Sequence, residues 1–205
     1  MISEQLIIFT RYPVPGKAKT RLIPVLGKEG AANLHRLMTQ RTIATSLVLQ
    51  KSRQLSVAIH YTDSSQQLME DWLGTDIIYH QQSEGDLGAR MSAALQKSWD
   101  LGIDKVVIIG TDCPKLKAEI IAKAFDELSE KDLVLGPAQD GGYYLIGLRR
   151  RIPELFEGMK WGTDEVFADT LAIAQKLSLS IAVIPILADI DRPEDLLGLE
   201  MNILQ

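Results

Sequence analysis

Short, almost wholly apolar runs recur along this chain, each followed by a loop and then by a segment with helical spacing. Leu6–Phe9, Lys105–Ile109, Leu133–Leu135, Tyr143–Leu148 and Ile181–Leu187 are of this kind. Such runs are too short for helices and apolar on both faces, which fits strands buried inside a sheet that helices cover on both sides. Val57, Ile59 and Tyr61 alternate before Thr62-Asp63-Ser64, a strand running into a helix N-cap, and a short strand falls near Asp76–Tyr79. Leu34, Leu37, Met38, Ala44, Leu47 and Val48 put a helix over Lys28–Gln50. Further helices are expected near Gln66–Leu73, around Leu87–Ser98, over Ala118–Leu128 and over Asp164–Leu177. The alternation predicts a three-layer α/β/α sandwich with a mostly parallel sheet. Gly136 to Leu148 is too short for a helical crossover, so an antiparallel pairing is expected there.

Composition narrows the class. With 205 residues and 46% apolar content, the chain suffices for one core, and a single domain over 1–205 is expected. No apolar window is long enough for a membrane span, and the N-terminus lacks a signal-peptide pattern. The single cysteine, Cys113, rules out an internal disulfide and fits a reducing, cytoplasmic setting. A net charge of −5 argues against a nucleic-acid binder.

In parallel sheets, ligands bind beyond the carboxyl ends of the strands. The loop after each apolar run is therefore informative. After the first run come Thr10, Arg11, Lys17, Lys19, Thr20 and Arg21 around Gly16. After the others come Gly110-Thr111-Asp112-Cys113-Pro114, then "GPAQDGGYY", then "ADIDRPEDL". Cations and carboxylates thus gather on one edge, the composition of a metal–polyphosphate site: basic groups for phosphate oxygens, carboxylates for Mg²⁺ or Mn²⁺.

Each stretch also has a plainer reading. The basic loop can be a solvated turn, and it is neither a Walker A loop nor a G-x-G-x-x-G turn. Asp112 can hold a metal or cap the helix expected near Lys117. Asp140-Gly141-Gly142 reads first as a tight turn, and otherwise as a place where substrate lies against bare backbone with Asp140 accepting from a hydroxyl. Acidic residues in "DIDRPEDL" suit the helix N-terminus opening at Pro193, although Asp191, or Asp189 in reserve, can face the metal. Alternation puts those two on the same face. In "SEGDLGARM", Asp86 is a candidate N-cap with Arg90 one turn in. Cys113 reads as core filler, and His35, His60 and His80 are expected not to cluster, which argues against a zinc site or a histidine-based triad.

Taken together, "IIFTRYPVPGKAKTRL", "GDLGARM", "VVIIGTDCPKL", "GPAQDGGYYLIGL", "WGTDEVF" and "DIDRPEDL" are far more specific than any one of them. In this order they resemble the bacterial predicted glycosyltransferases of the radical-SAM/selenodomain-associated transferase 1 family. These are similar in turn to GT-A-fold nucleotide-diphospho-sugar transferases, a fold shared with guanylyl- and cytidylyltransferases. The resemblance implies that Thr10, Arg11, Gly16, Lys19 and Arg21 hold the nucleotide phosphates and that Asp86 and Arg90 lie near base or ribose. It implies Asp112 as metal ligand, with a second carboxylate from "DID", and Mg²⁺ or Mn²⁺ as cofactor. Its partners would be a nucleotide-sugar donor and a small-molecule or lipid acceptor.

Two departures pull in opposite directions. Asp112 is followed by Cys113-Pro114 rather than completing D-x-D, which favours a nucleotidyltransferase. The opening loop lacks most of the glycines of those enzymes, and Pro13 and Pro15 remove two backbone donors that a triphosphate cradle would use. The expected activity is glycosyl transfer, with pyrophosphate-releasing nucleotidyl transfer as the alternative and a non-catalytic nucleotide-binding regulator as a third. Asp140 is the expected catalytic residue, with Gly141 and Gly142 against the sugar.

Overall fold

A computed structural model describes residues 3–198. Seven strands, β1 (Glu4–Arg11), β2 (Leu55–Thr62), β3 (Ile78–Gln81), β4 (Lys105–Ile109), β5 (Leu133–Pro137), β6 (Tyr143–Leu148) and β7 (Ile181–Val183), form one sheet in the order β3-β2-β1-β4-β6-β5-β7. The pairs β1–β2, β1–β4, β2–β3 and β5–β7 are parallel, while β6 runs antiparallel to both β4 and β5. The expected antiparallel pairing is therefore present on both sides of β6.

The helices are α1 (Ile23–Ser52), α2 (Gln66–Leu73), α3 (Leu87–Asp100), α4 (Ala118–Glu127) and α5 (Val166–Lys176). Alternation along β1 sends Leu6 and Ile8 to one face, where they share a core with Ile43 and Leu49 of α1 and Ile121 and Phe125 of α4. Ile7 goes to the other face, with Met91 and Leu95 of α3 and Ala174 of α5. All these side chains are buried. Burial on both faces is why the strand reads as a continuous apolar run rather than an alternating one.

The structure moves several element bounds. Helix α1 starts five residues earlier than its apolar periodicity, because Pro24 suits a first turn and the backbone kinks at Gly27 (φ 71°). Strand β3 lies two residues further on than expected. Ser65 caps α2, accepting from the Leu68 N–H, whereas Asp63 takes a left-handed φ of 60°. The last strand stops at Val183 and resumes only as one bridge between Leu187 and Ala138. Pro185, which has no N–H to donate, lies in the gap.

The chain winds from β1 outward through β2 to β3, then crosses to β4 on the other side of β1. The sheet order thus reverses between β1 and β4, and a crevice opens beyond their carboxyl ends.

Candidate functional site

A cavity of about 430 Å³ occupies this crevice, lined among others by Thr10, Asp112, Asp140, Asp189, Arg90 and Trp161. Thr10, buried at the end of β1, has its hydroxyl 3.2 Å from that of Thr39 and 3.5 Å from His35 Nε2. His35 Nε2 also lies 3.1 Å from the Arg11 carbonyl. His35 and Thr39 stand one turn apart on α1, so that helix sets how β1 ends. Burial pushes the His35 imidazole below its usual range, partly offset by the Asp112 charge.

The loop after β1 bonds several of its own backbone donors. The Val14 N–H bonds the Tyr12 carbonyl, and the Lys17 and Ala18 N–H groups both bond the Val14 carbonyl. Gly16 has φ 83°, and a Cβ there would make only ordinary contact with Lys28, so the glycine serves the turn rather than a close approach. Arg11 and Lys17 are exposed. Arg11 donates to the Lys17 carbonyl at 3.3 Å and lies 3.9 Å from Asp63.

Lys19, in a left-handed conformation (φ 49°), turns inward. Its ammonium lies 2.8 Å from Asp112 Oδ1 and 3.7 Å from Asp191 Oδ1, and it donates to the Ile190 carbonyl. Arg21 pairs with the other oxygen of Asp191. Burial tends to raise the Asp112 carboxyl, but the charge and hydrogen bond of Lys19 outweigh it and hold Asp112 below the usual range. Asp112 does not cap α4, whose N-cap is Lys117. Cys113 is buried, and burial pushes its thiol well above the usual range.

Asp86 caps α3, accepting from the Ala89 N–H at 2.9 Å. Arg90, one turn in, donates to the Gly85 carbonyl at 2.9 Å and lines the cavity. At the β5–β6 turn, Asp140 Oδ1 accepts the Gly142 N–H at 2.9 Å. The expectation for Gly141 needs correction. A Cβ there would fall 2.1 Å from the Asp164 carbonyl oxygen, so the backbone of the W-G-T-D segment, not a sugar, fills its open side. Gly142 does line the cavity.

Asp189 and Asp191 part company. The chain from Ala188 to Asp191 is not a strand, so two-residue alternation does not apply there. Asp189 lines the cavity while Asp191 faces Lys19 and Arg21. Burial, then the charge of Asp140, then those of Asp195 and Asp112, push the Asp189 carboxyl up to about 6. Asp195 accepts from the Asp191 and Arg192 N–H groups, capping the turn at Pro193.

Three cavity residues had no assigned role in the sequence. His35 is hidden in the periodicity of α1. Gln82 donates its amide to the carbonyls of Thr10 and His60. Trp161 packs edge-to-face on Tyr143 with centroids 6.4 Å apart, and a Cβ on Gly88 would fall 2.7 Å from its indole nitrogen. The histidines also need a correction. Pairing of β2 with β3 sets His60 opposite His80, with ring centroids 5.1 Å apart.

Three carboxylates, Asp112, Asp140 and Asp189, thus line one cavity whose cationic lining is Arg11 and Arg90. Among the described residues no group of three or more His, Cys, Asp or Glu is close enough to hold a metal. Hard oxygens from one or two carboxylates, completed by phosphates, nevertheless suit Mg²⁺ or Mn²⁺.

A crystal structure of a candidate nucleotide-diphospho-sugar transferase from Desulfovibrio desulfuricans G20 is 35% identical, covers 96% of this chain and 85% of its own, and superposes with a TM-score of 0.89. The 2-C-methyl-D-erythritol 4-phosphate cytidylyltransferase of Thermus thermophilus covers 99% of both chains with a TM-score of 0.57 at 14% identity, a likeness of fold alone. The 2-phospho-L-lactate guanylyltransferase of Methanopyrus kandleri is 33% identical over 95 residues, 44% of this chain and 47% of that protein. The match thus spans about half the length of that curated relative. No helix among the described residues is long and apolar enough to cross a membrane. Residues 44–163, more than half of the chain, match the family described as uncharacterized protein conserved in bacteria (DUF2064), and the chain belongs to that family.

Proposed function

We propose that the protein is a divalent-metal-dependent glycosyltransferase that moves a sugar from a nucleoside-diphosphate donor to a hydroxyl acceptor. Within its family, we group it with the radical-SAM/selenodomain-associated transferases that its motifs resemble. The observation that carries the reading is the hydrogen bonding of the loop after β1. Between Tyr12 and Ala18, two residues are proline and the N–H groups of Tyr12, Val14, Lys17 and Ala18 are bonded to backbone carbonyls. Such a loop has few donors left with which to wrap a triphosphate, whereas a diphosphate can be held by cations: Arg11 lines the cavity, and Lys19 and Arg21 stand behind it on Asp112 and Asp191.

In this reading Arg11, Lys19 and Arg21 bind the phosphates, and Arg90 stands at the nucleoside end of the cavity. Asp112 and Asp189 hold the metal, which supplies charge neutralisation of the departing nucleoside diphosphate. Asp191 is the poorer second ligand, because Arg21 and Lys19 already engage it. Asp140 accepts hydroxyl hydrogen bonds from the sugar or takes the acceptor proton. Gly142, next to it, leaves room for the sugar.

The match to the guanylyltransferase supports a second reading, nucleotidyl transfer with release of pyrophosphate. Purified protein screened against UDP-, GDP-, CDP- and dTDP-sugars, and separately against the four triphosphates, tests both. Metal-dependent release of nucleoside diphosphate from a sugar nucleotide is the expected result. Pyrophosphate release from a triphosphate, with no sugar-nucleotide turnover, would overturn it in favour of the second reading. Nucleotide binding without turnover of any donor by the protein supplied with hydroxyl acceptors would point instead to a regulator.

A further inference from the structure

The Lys19 ammonium sits on the carboxylate that would hold a divalent cation, Asp112. It lies 2.8 Å from Asp112 Oδ1 and 3.7 Å from Asp191 Oδ1, with the Ile190 carbonyl as a third oxygen partner. These oxygens come from the loop after β4 and from the segment after β7, and the Lys19 side chain is only 4% exposed between them. Arg21 completes the cluster on Asp191. Two cations face two carboxylates, so the charges within the cluster balance.

That balance decides what can enter. A divalent ion arriving alone would meet a resident ammonium on its carboxylate, in a partly buried site where like charges repel strongly. Pushing Lys19 off Asp112 would cost a nearly buried ammonium its nearest carboxylate. A polyphosphate arriving alone would draw Lys19 and Arg21 away and leave Asp112 beside new negative charge. With both together, phosphate oxygens engage Lys19 and Arg21, which stay beside Asp191, and the metal takes Asp112 and the same phosphates.

We propose that Lys19 is a placeholder cation, and that the ligand of this site is therefore the divalent-metal complex of a polyphosphate, admitted as one unit. This rests on the nucleotide-binding reading above. Lys19 acts through Asp112 as a positioning residue: it holds the carboxylate in place, then changes partners when the complex arrives. Its backbone is left-handed and its side chain is turned inward, while Lys17 and Thr20 are exposed.

The test needs no turnover. Mn²⁺ binding is read by electron paramagnetic resonance for wild type, Lys19→Gln and Lys19→Arg, each alone and with CDP, GDP or UDP. Wild type and Lys19→Arg should bind Mn²⁺ weakly alone and at least tenfold more tightly with a nucleotide. Lys19→Gln should bind Mn²⁺ alone at least tenfold more tightly than wild type and gain less from nucleotide. Equal binding of Mn²⁺ alone by wild type and Lys19→Gln would overturn the proposal. A wild-type measurement guards against misfolding of the neutral variant: acetylation of Lys19, followed by peptide mass spectrometry, should be slow in the free protein and rise several-fold as Mn²⁺ alone is driven in. Mn²⁺ occupancy with Lys19 still protected would also overturn it. If wild type binds none of the three nucleotides with Mn²⁺, the nucleotide reading fails, while the exchange at Lys19 is still decided by the variant and the labelling.

Discussion

Lys19 Nζ and Asp112 Oδ1 lie 2.8 Å apart, joining the loop after β1 to the loop after β4 across the point where the sheet order reverses. The pair fastens the rim of the cavity as well as charging it. Because the Asp112 side chain is about half exposed, 49%, its worth is discounted from that of a fully buried pair. A double-mutant cycle of Asp112→Asn and Lys19→Met, read by urea denaturation, should give a coupling energy of about 1–2 kcal/mol. A coupling indistinguishable from zero would reduce the two to neighbours.

Arg21 should behave differently. Its side chain is 60% exposed, and its partner Asp191 is reached from solvent, so the ion pair contributes little to folding, about 0–1 kcal/mol. Arg21→Ala should leave the denaturation midpoint almost unchanged. It should weaken binding of a nucleoside diphosphate by about 1.5–3 kcal/mol, the range for a hydrogen bond to a charged group. Calorimetry with UDP, GDP and CDP in Mg²⁺ or Mn²⁺ measures this, and unchanged affinity would return Arg21 to a solvated turn.

Gly141 carries a stability prediction. It has φ 89°, and the Asp164 backbone fills the space a side chain would take. The Phe167 N–H also donates to the Gly141 carbonyl at 2.9 Å, so the turn is pinned to the start of α5. Gly141→Ala combines a left-handed strain with a backbone clash and should cost about 2–4 kcal/mol. Gly142→Ala, where the nearest neighbour is the Asp140 carboxylate at 3.2 Å, should cost clearly less. Equal losses at the two positions would show that Asp164 yields.

Most of the fold was legible because buried parallel strands announce themselves. Leu6–Phe9 and Lys105–Ile109 are apolar on both faces, and the charged loops after them mark the crevice. What was not legible depended on register or on irregular backbone. Nothing local to His60 and His80 says that β2 and β3 align them. Asp189 and Asp191 looked equivalent because alternation was assumed beyond the point where the strand ends. Gly141 was read for a ligand because the sequence cannot show Asp164, more than twenty residues away, folding against it. Whether a close approach is made by substrate or by the protein itself is a tertiary fact.

Asp140 separates activity from stability. It is exposed, and its one described side-chain hydrogen bond accepts the Gly142 N–H within the turn. Asp140→Ala should therefore cost only about 0.5–1.5 kcal/mol of folding free energy, the net worth of one such bond. The proposed role predicts a much larger kinetic effect, a fall in kcat of about 100-fold or more, as for a lost general base or transition-state contact. Asp140→Asn keeps the turn's acceptor oxygen, so it should recover the stability but not the rate. Recovery of both would leave Asp140 as a turn residue only.

The last prediction concerns acid. His60 is buried, its ring stacked 5.6 Å from that of Phe9, with His80 and then Lys97 beyond it. Burial first, then the charges of His80 and Lys97, push its imidazole down to about 3. In the unfolded chain the same ring titrates near its ordinary value, about 6.5. The unfolded state therefore takes up a proton first as pH falls, and native stability declines from about pH 6.5 downward, levelling off near pH 3. At pH 5 the loss from His60 should be about 2 kcal/mol, with His80, also lowered by burial and Lys97, adding to it. Paired carboxylates such as Glu4, held below their usual range, contribute mainly at lower pH. Asp189, pushed up to about 6, takes up a proton in the native state between pH 7 and pH 5 and offsets part of the loss. The share of His60 is therefore read from the difference in urea midpoints between wild type and a His60 variant. His60→Phe keeps the stacked, buried ring and removes the titration. It should remove most of the drop between those two pH values, and an undiminished drop in that variant would assign the acid sensitivity elsewhere.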